Sequence, residues 1–126
     1  MKTAAKWRSV VDRKEKNRLK ARIAEHIDLS NGRFTDYEVA RLHNLVESRD
    51  EYDGYSQTYH RSYKAFDSED TYRVDESDTY TFHSDEEGIR IEQNFERNWD
   101  DGQCDTEHRS YSTARGILNL LDKLKI

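Results

Sequence analysis

A chain of 126 residues with 26 Asp or Glu, 21 Lys or Arg and a net charge of −5 has room for one hydrophobic core, so a single domain spanning 1–126 is expected. Hydrophobic residues are only 33% of the chain and charged residues 37%, but 8 Tyr, 4 Phe and 2 Trp supply broad apolar faces with polar tips, which suit a thin half-buried sheet and argue against a disordered tail. No apolar run approaches the ~20 residues that span a bilayer and no secretory leader is visible, so a cytoplasmic location without membrane contact is expected.

Residues 3 to 29 lack Pro and Gly and are rich in helix formers, which predicts one helix or two broken ones. The polar run Asp12 to Arg18 cannot pack along its whole length. Its middle should therefore face solvent, or residues 1–17 should form a basic helical arm. Asn31-Gly32 is the expected stop, because both tolerate a left-handed backbone. Thr35-Asp36-Tyr37-Glu38 is a capping box, and Val39, Leu42, Leu45 and Val46 carry a second helix to about Arg49.

Tyr55, Tyr59 and Tyr63, four apart, share one face of either a helix or a strand, and the Tyr, Thr and Ser around them favour the strand. Thr71 to Val74, Thr79 to His83 and Ile89 to Phe95 read as short strands, with Ile89, Ile91 and Phe95 on one face. They are separated by acidic turns at Asp67 to Asp70, Asp75 to Asp78 and Ser84 to Gly88. Residues 97 to 109 read as a polar loop. Ala114, Ile117, Leu118, Leu121 and Leu124 then form the stripe of an amphipathic helix capped by Ser110 or Ser112. The fold class is α+β: two N-terminal helices, a three- to four-stranded antiparallel β-meander and a C-terminal amphipathic helix.

Catalytic motifs fail on spacing. The five glycines, at 32, 54, 88, 102 and 116, are too dispersed to cradle a phosphate. A calcium loop built on Gly102 would put Arg97 and Trp99 at ligand positions. Cys104, the only cysteine, excludes an internal disulfide, and its acidic neighbours disfavour the thiolate that a nucleophile paired with His108 needs. Clusters around Cys104 and His83 lack the spacing of a metal motif, so neither a metal nor a cofactor is expected, and the chain reads as non-enzymatic.

The charges are split. Residues 1–34 carry ten Lys or Arg against four Asp or Glu, whereas residues 35–126 carry eleven against twenty-two. This points to an acidic binding surface for a basic partner, since Lys and Arg arrays that grip phosphates respond to suitably spaced carboxylates by charge alone. The candidate contacts are Asp67, Glu69, Asp70, Asp75, Glu76, Asp78, Asp85, Glu86, Glu87, Asp100 and Asp101, crowded along one edge by the acidic turns, with Tyr55, Tyr59, Tyr63 and Tyr72 as aromatic anchors. By type alone, such small acidic chains include the nucleic-acid mimics that phages and mobile elements direct at host enzymes, anti-CRISPR and anti-restriction proteins among them; a Cas effector is the kind of partner meant. The alternative is direct nucleic-acid binding by Lys6, Arg8, Arg13, Lys14, Lys16, Arg18, Lys20 and Arg22. The same basic segment could also dock on the acidic sheet of a second copy and give a homo-oligomer.

Overall fold

The computed structural model describes residues 13–30, 32–66 and 69–126. In chain order they form helix α1 (Arg13–Ala24), helix α2 (Asp36–Glu47), a helical turn α3 (Arg49–Tyr52), strands β1 (Ser56–Phe66), β2 (Thr71–Asp85), β3 (Gly88–Trp99) and β4 (Cys104–Tyr111), and helix α4 (Ala114–Leu124). The strands pair antiparallel in the order β1-β2-β3-β4, the expected meander closed by a helix. Among the described residues no helix is long and apolar enough to cross a membrane.

Local chemistry fixes several boundaries. The Thr35 hydroxyl accepts from the Glu38 amide at 3.1 Å while the Glu38 carboxylate accepts from the Thr35 amide at 2.9 Å, so the capping box starts α2. The cap of α4 is Thr113, whose side chain accepts from the Gly116 amide, and not Ser110 or Ser112. Ser110 is taken by β4, and the chain leaves the sheet only after it. Helix α1 ends at Ala24, ahead of Asn31-Gly32, because the next residues serve β3 and the start of α4: the His26 carbonyl accepts from the Ile89 amide and the Asp28 carbonyl from the Ala114 amide, both at 2.8 Å. Residues 13–17, counted above with an arm, belong to α1, where Lys16 pairs with Asp36 at 3.0 Å. Residues 1–12 lie outside the described residues.

Two strand boundaries differ from the sequence reading. Asp75 to Asp78 is not a turn; it lies inside the continuous strand β2, paired on one side with Tyr59–Ser62 and on the other with Phe95–Asn98. A central strand with both ladders formed keeps residues of low strand preference, because the neighbouring strands supply partners for them. Residues 97 to 109 are not a loop either. They are the end of β3, a turn at Gly102 (φ 94) and most of β4.

The meander puts Tyr80 and Phe82 of β2 on the same face as Ile89 and Ile91 of β3. All four are buried with Ile117, Leu118, Leu121 and Leu124 of α4 and Val39, Leu42, Leu45 and Val46 of α2; Ile23, Ile27 and Phe34 close the cluster. Each such side chain contributes about 1.5–3 kcal/mol on burial. The helices cover only one end of the sheet. On β1, α4 reaches as far as Gln57, which donates to the Leu124 carbonyl at 3.1 Å, and Tyr59, whose hydroxyl meets the Lys123 carbonyl at 3.4 Å.

Candidate functional site

Among the described residues no helix covers the sheet beyond the row Thr58, Thr79, Asn94 and His108. From Thr79 to Thr71 this projection is about 26 Å long at ~3.3 Å per residue. On the face continuous with the core, three rows cross the strands. The first reads Tyr59, Asp78, Phe95, Glu107; the second Arg61, Glu76, Arg97, Asp105; the third Tyr63, Val74, Trp99. Strand alternation and register place them, and the third row seals itself: Val74 is fully buried although it lies outside the helix-covered core.

The second row is an ion ladder. Glu76 receives the Arg97 Nε at 2.7 Å and lies 3.3 Å from the Arg61 Nε, with the Tyr63 hydroxyl donating to it at 3.2 Å. Burial pushes the Glu76 carboxyl up, but the Arg97 and Tyr63 hydrogen bonds and the charges of Arg97 and Arg61 outweigh it, so its pKa lies below the ordinary glutamate value. The aromatic rings on this face already carry cations, with the Arg61 guanidinium 4.5 Å from the Tyr63 centroid and that of Arg97 5.1 Å from Phe95. Where the projection begins, Asp78 accepts from Tyr80 and Gln93, and Lys123 lies 3.7 Å away.

The candidate acids do not crowd a single edge. Successive turns of a meander fall at opposite ends, so Asp85, Glu86 and Glu87 sit at the helix-covered end. Glu69, Asp70, Asp100 and Asp101 sit at the far tip, about 45 Å away along β2. Asp67 lies outside the described residues. At the tip the Asp100 carboxylate accepts from the Arg73 amide at 3.0 Å and the Tyr72 hydroxyl donates to Asp70 at 3.3 Å, which ties each turn to the start of β2. Asp75 points to the opposite face, where the Ser62 hydroxyl donates to it at 2.5 Å and, with Arg73, lowers its pKa. Asp85 is held low by Arg90 at 2.7 Å. Of the tyrosines, Tyr59, Tyr63 and Tyr72 belong to the projection, whereas Tyr55 packs beside Phe82 and Tyr52 over the core.

What the projection does gather is charge. Its described residues carry ten acids (Glu69, Asp70, Asp75, Glu76, Asp78, Glu96, Asp100, Asp101, Asp105 and Glu107) against four bases (Arg61, Lys64, Arg73 and Arg97), a net of −6. The other described residues balance at fourteen of each sign. Of the six basic residues of α1, Arg18 pairs on the spot with Glu15, Arg22 with Glu25 and Glu47, and Lys16 with Asp36. Arg13, Lys14 and Lys20 also lie on α1, while Lys6 and Arg8 fall outside the described residues.

Cys104 and His108 share a face four residues apart, about 13 Å on a strand, too far for a nucleophile and its base. Asp105 and Glu107 point to the other face, and no group of three His, Cys, Asp or Glu that could hold a metal ion occurs among the described residues. The sequence reading missed Arg61, Phe95, Arg97, Trp99, Asp105 and Glu107. The alternation Tyr59-Arg61-Tyr63 was a usable signal; β4 offered none, since every residue from Cys104 to Ser110 is exposed and no apolar period marks it. Comparison with protein families, with curated proteins and with solved structures returns no match for this chain.

Proposed function

We propose that the protein is a non-enzymatic binding module that offers its projecting half-sheet to a basic partner that handles nucleic acid, acting as a decoy for the nucleic-acid backbone. The observation that carries this reading is the segregation of charge: the projection holds a net −6 while the other described residues are neutral. Magnitude selects the type of decoy. Over ~26 Å a duplex presents about 15 negative charges and a single strand about 8. The projection therefore comes near a single strand and falls well short of a duplex. Partners that grip single strands combine basic grooves with aromatic stacking, and Tyr59, 39% exposed, is the ring this face offers for it, since Arg61 and Arg97 already cover Tyr63 and Phe95. By analogy of type this is the reading of an anti-CRISPR- or anti-restriction-like mimic, with a Cas effector as the kind of partner meant.

The test is competition. The protein is titrated into a complex of a basic single-strand-binding enzyme, such as a Cas effector, with a labelled oligonucleotide. Displacement that weakens with salt is expected, and E69K/D70K/D101K abolishes it, whereas E86K/E87K at the opposite end leaves it intact. Binding of the oligonucleotide by the protein itself, or equal loss from both variants, overturns the reading.

A further inference from the structure

Strand β4 forms one edge of the sheet, and its outer side has no neighbouring strand among the described residues. Natural edges are blunted by proline, bulges or inward charges. This chain contains no proline, and the β3–β4 register runs without a bulge from Ile91–Tyr111 to Asn98–Cys104; the inward charges that β4 does carry, Asp105, Glu107 and Arg109, are of both signs, so a second copy can pair them where a foreign strand cannot. We propose that β4 pairs antiparallel with β4 of a second copy, joining two four-stranded sheets across a two-fold axis at His108.

The charge pattern selects both the edge and the register. The opposite edge, β1, carries Arg61 and Lys64 with no acid between Ser56 and Phe66, so two β1 edges have no carboxylate with which to form an ion pair. On β4 the residues Asp105, Glu107 and Arg109 lie on one face. A two-fold axis normal to the sheet keeps like faces together, so the register changes in steps of two residues. Centred on His108, the Glu107 of each copy faces the Arg109 of the other, giving two such pairs, Thr106 faces Ser110, and no like charges meet on that face. Centring on Glu107 opposes two carboxylates, centring on Arg109 opposes two guanidiniums, and centring on Thr106 sets Asp105 against Glu107. Directly opposed side chains on antiparallel strands lie about 4.5–5.5 Å apart at Cβ, within reach of an ion pair.

The pairing goes beyond the decoy reading and does not depend on it. It also sends the two acidic projections in opposite directions, which keeps their like charges apart. An edge of 8 residues buries less than the roughly 1,000 Å² of a stable interface, so association appears only at high protein concentration.

Sedimentation velocity over a concentration series tests it. The wild type is expected to form a dimer and nothing larger. E107R and R109E each lower the association constant roughly tenfold or more, because two attractive pairs become repulsive, and E107R/R109E restores it. Register is read independently by oxidation in a C104S background. H108C crosslinks copy to copy, since opposed Cα atoms at about 4.5–5.5 Å suit a disulfide, whereas T106C, about 13 Å from its equivalent, does not. A wild type that stays monomeric throughout, a dimer indifferent to E107R, equal crosslinking of the two cysteine variants, or growth into species larger than a dimer each overturns the proposal.

Discussion

Lys123, on the last turn of α4, donates to the hydroxyl of Tyr80, in the middle of β2, at 2.7 Å. The contact marks where the helix layer stops and the bare sheet begins. The same hydroxyl donates to Asp78 at 3.0 Å and accepts from Gln93 at 3.1 Å, while Gln93 takes a hydrogen bond from Tyr111 at 2.8 Å. Removing this node by Tyr80→Phe leaves the ring packed but strands the polar groups around it. A loss of about 1–2 kcal/mol is expected, read as a lower denaturation midpoint with unchanged slope.

Glu76 should make stability pH-dependent. Its folded pKa lies below the ordinary value, so its contribution is present above the unfolded pKa, near 4.5, and is lost as pH falls through the folded one. Glu76→Gln should therefore destabilise the protein at pH 7 and have a vanishing effect under acid conditions. Denaturant titrations of both proteins at pH 7, 5 and 3 check this.

Two glycines with positive φ should respond differently to Ala. Gly88 has φ +117, and an added Cβ would stand 2.4 Å from the His26 carbonyl oxygen, the acceptor that ties α1 to β3. Gly102 has φ +94 with nothing within 4 Å. Gly102→Ala should cost about 1–2 kcal/mol from backbone strain alone, and Gly88→Ala should cost more than that because the clash adds to the strain. Thermal melts of the two variants rank them.

The projection should open before the core does. Among its described residues only Val74 is fully buried, whereas Tyr80, Phe82 and Ile91 anchor the covered end. Amide exchange should be faster in Tyr63–Phe66, Thr71–Val74 and Arg97–Trp99 than in Tyr80–Phe82 and Ile89–Ile91. Val74→Ala should cost about 1.5 kcal/mol and speed exchange chiefly in the projection. Phe82→Ala should cost about 3–5 kcal/mol and speed it everywhere.

Patterns enforced by near neighbours were legible before the structure: the capping box at Thr35 and Glu38, the stripe from Ala114 to Leu124, the tyrosine spacing of β1 and the turn ending at Gly88. Each is set by chemistry within about one turn or one strand. The continuity of β2 through Asp75 to Asp78 and the existence of β4 were not, because both depend on neighbouring strands that supply partners. The acidic site was legible as composition and wrong as geometry, since the turns of a meander alternate between its two ends.

By itself, then, the sequence determined the class of fold, the single core and the excess of acid in its middle, because burial periodicity and charge count are properties of residue order. Only the tertiary structure decided that this acid rides on a sheet extending about 26 Å past its helices, with Glu76 clasped between Arg61 and Arg97. The physical reason is register: which side chains share a row across four strands is set by pairing between segments tens of residues apart, and no local pattern encodes it.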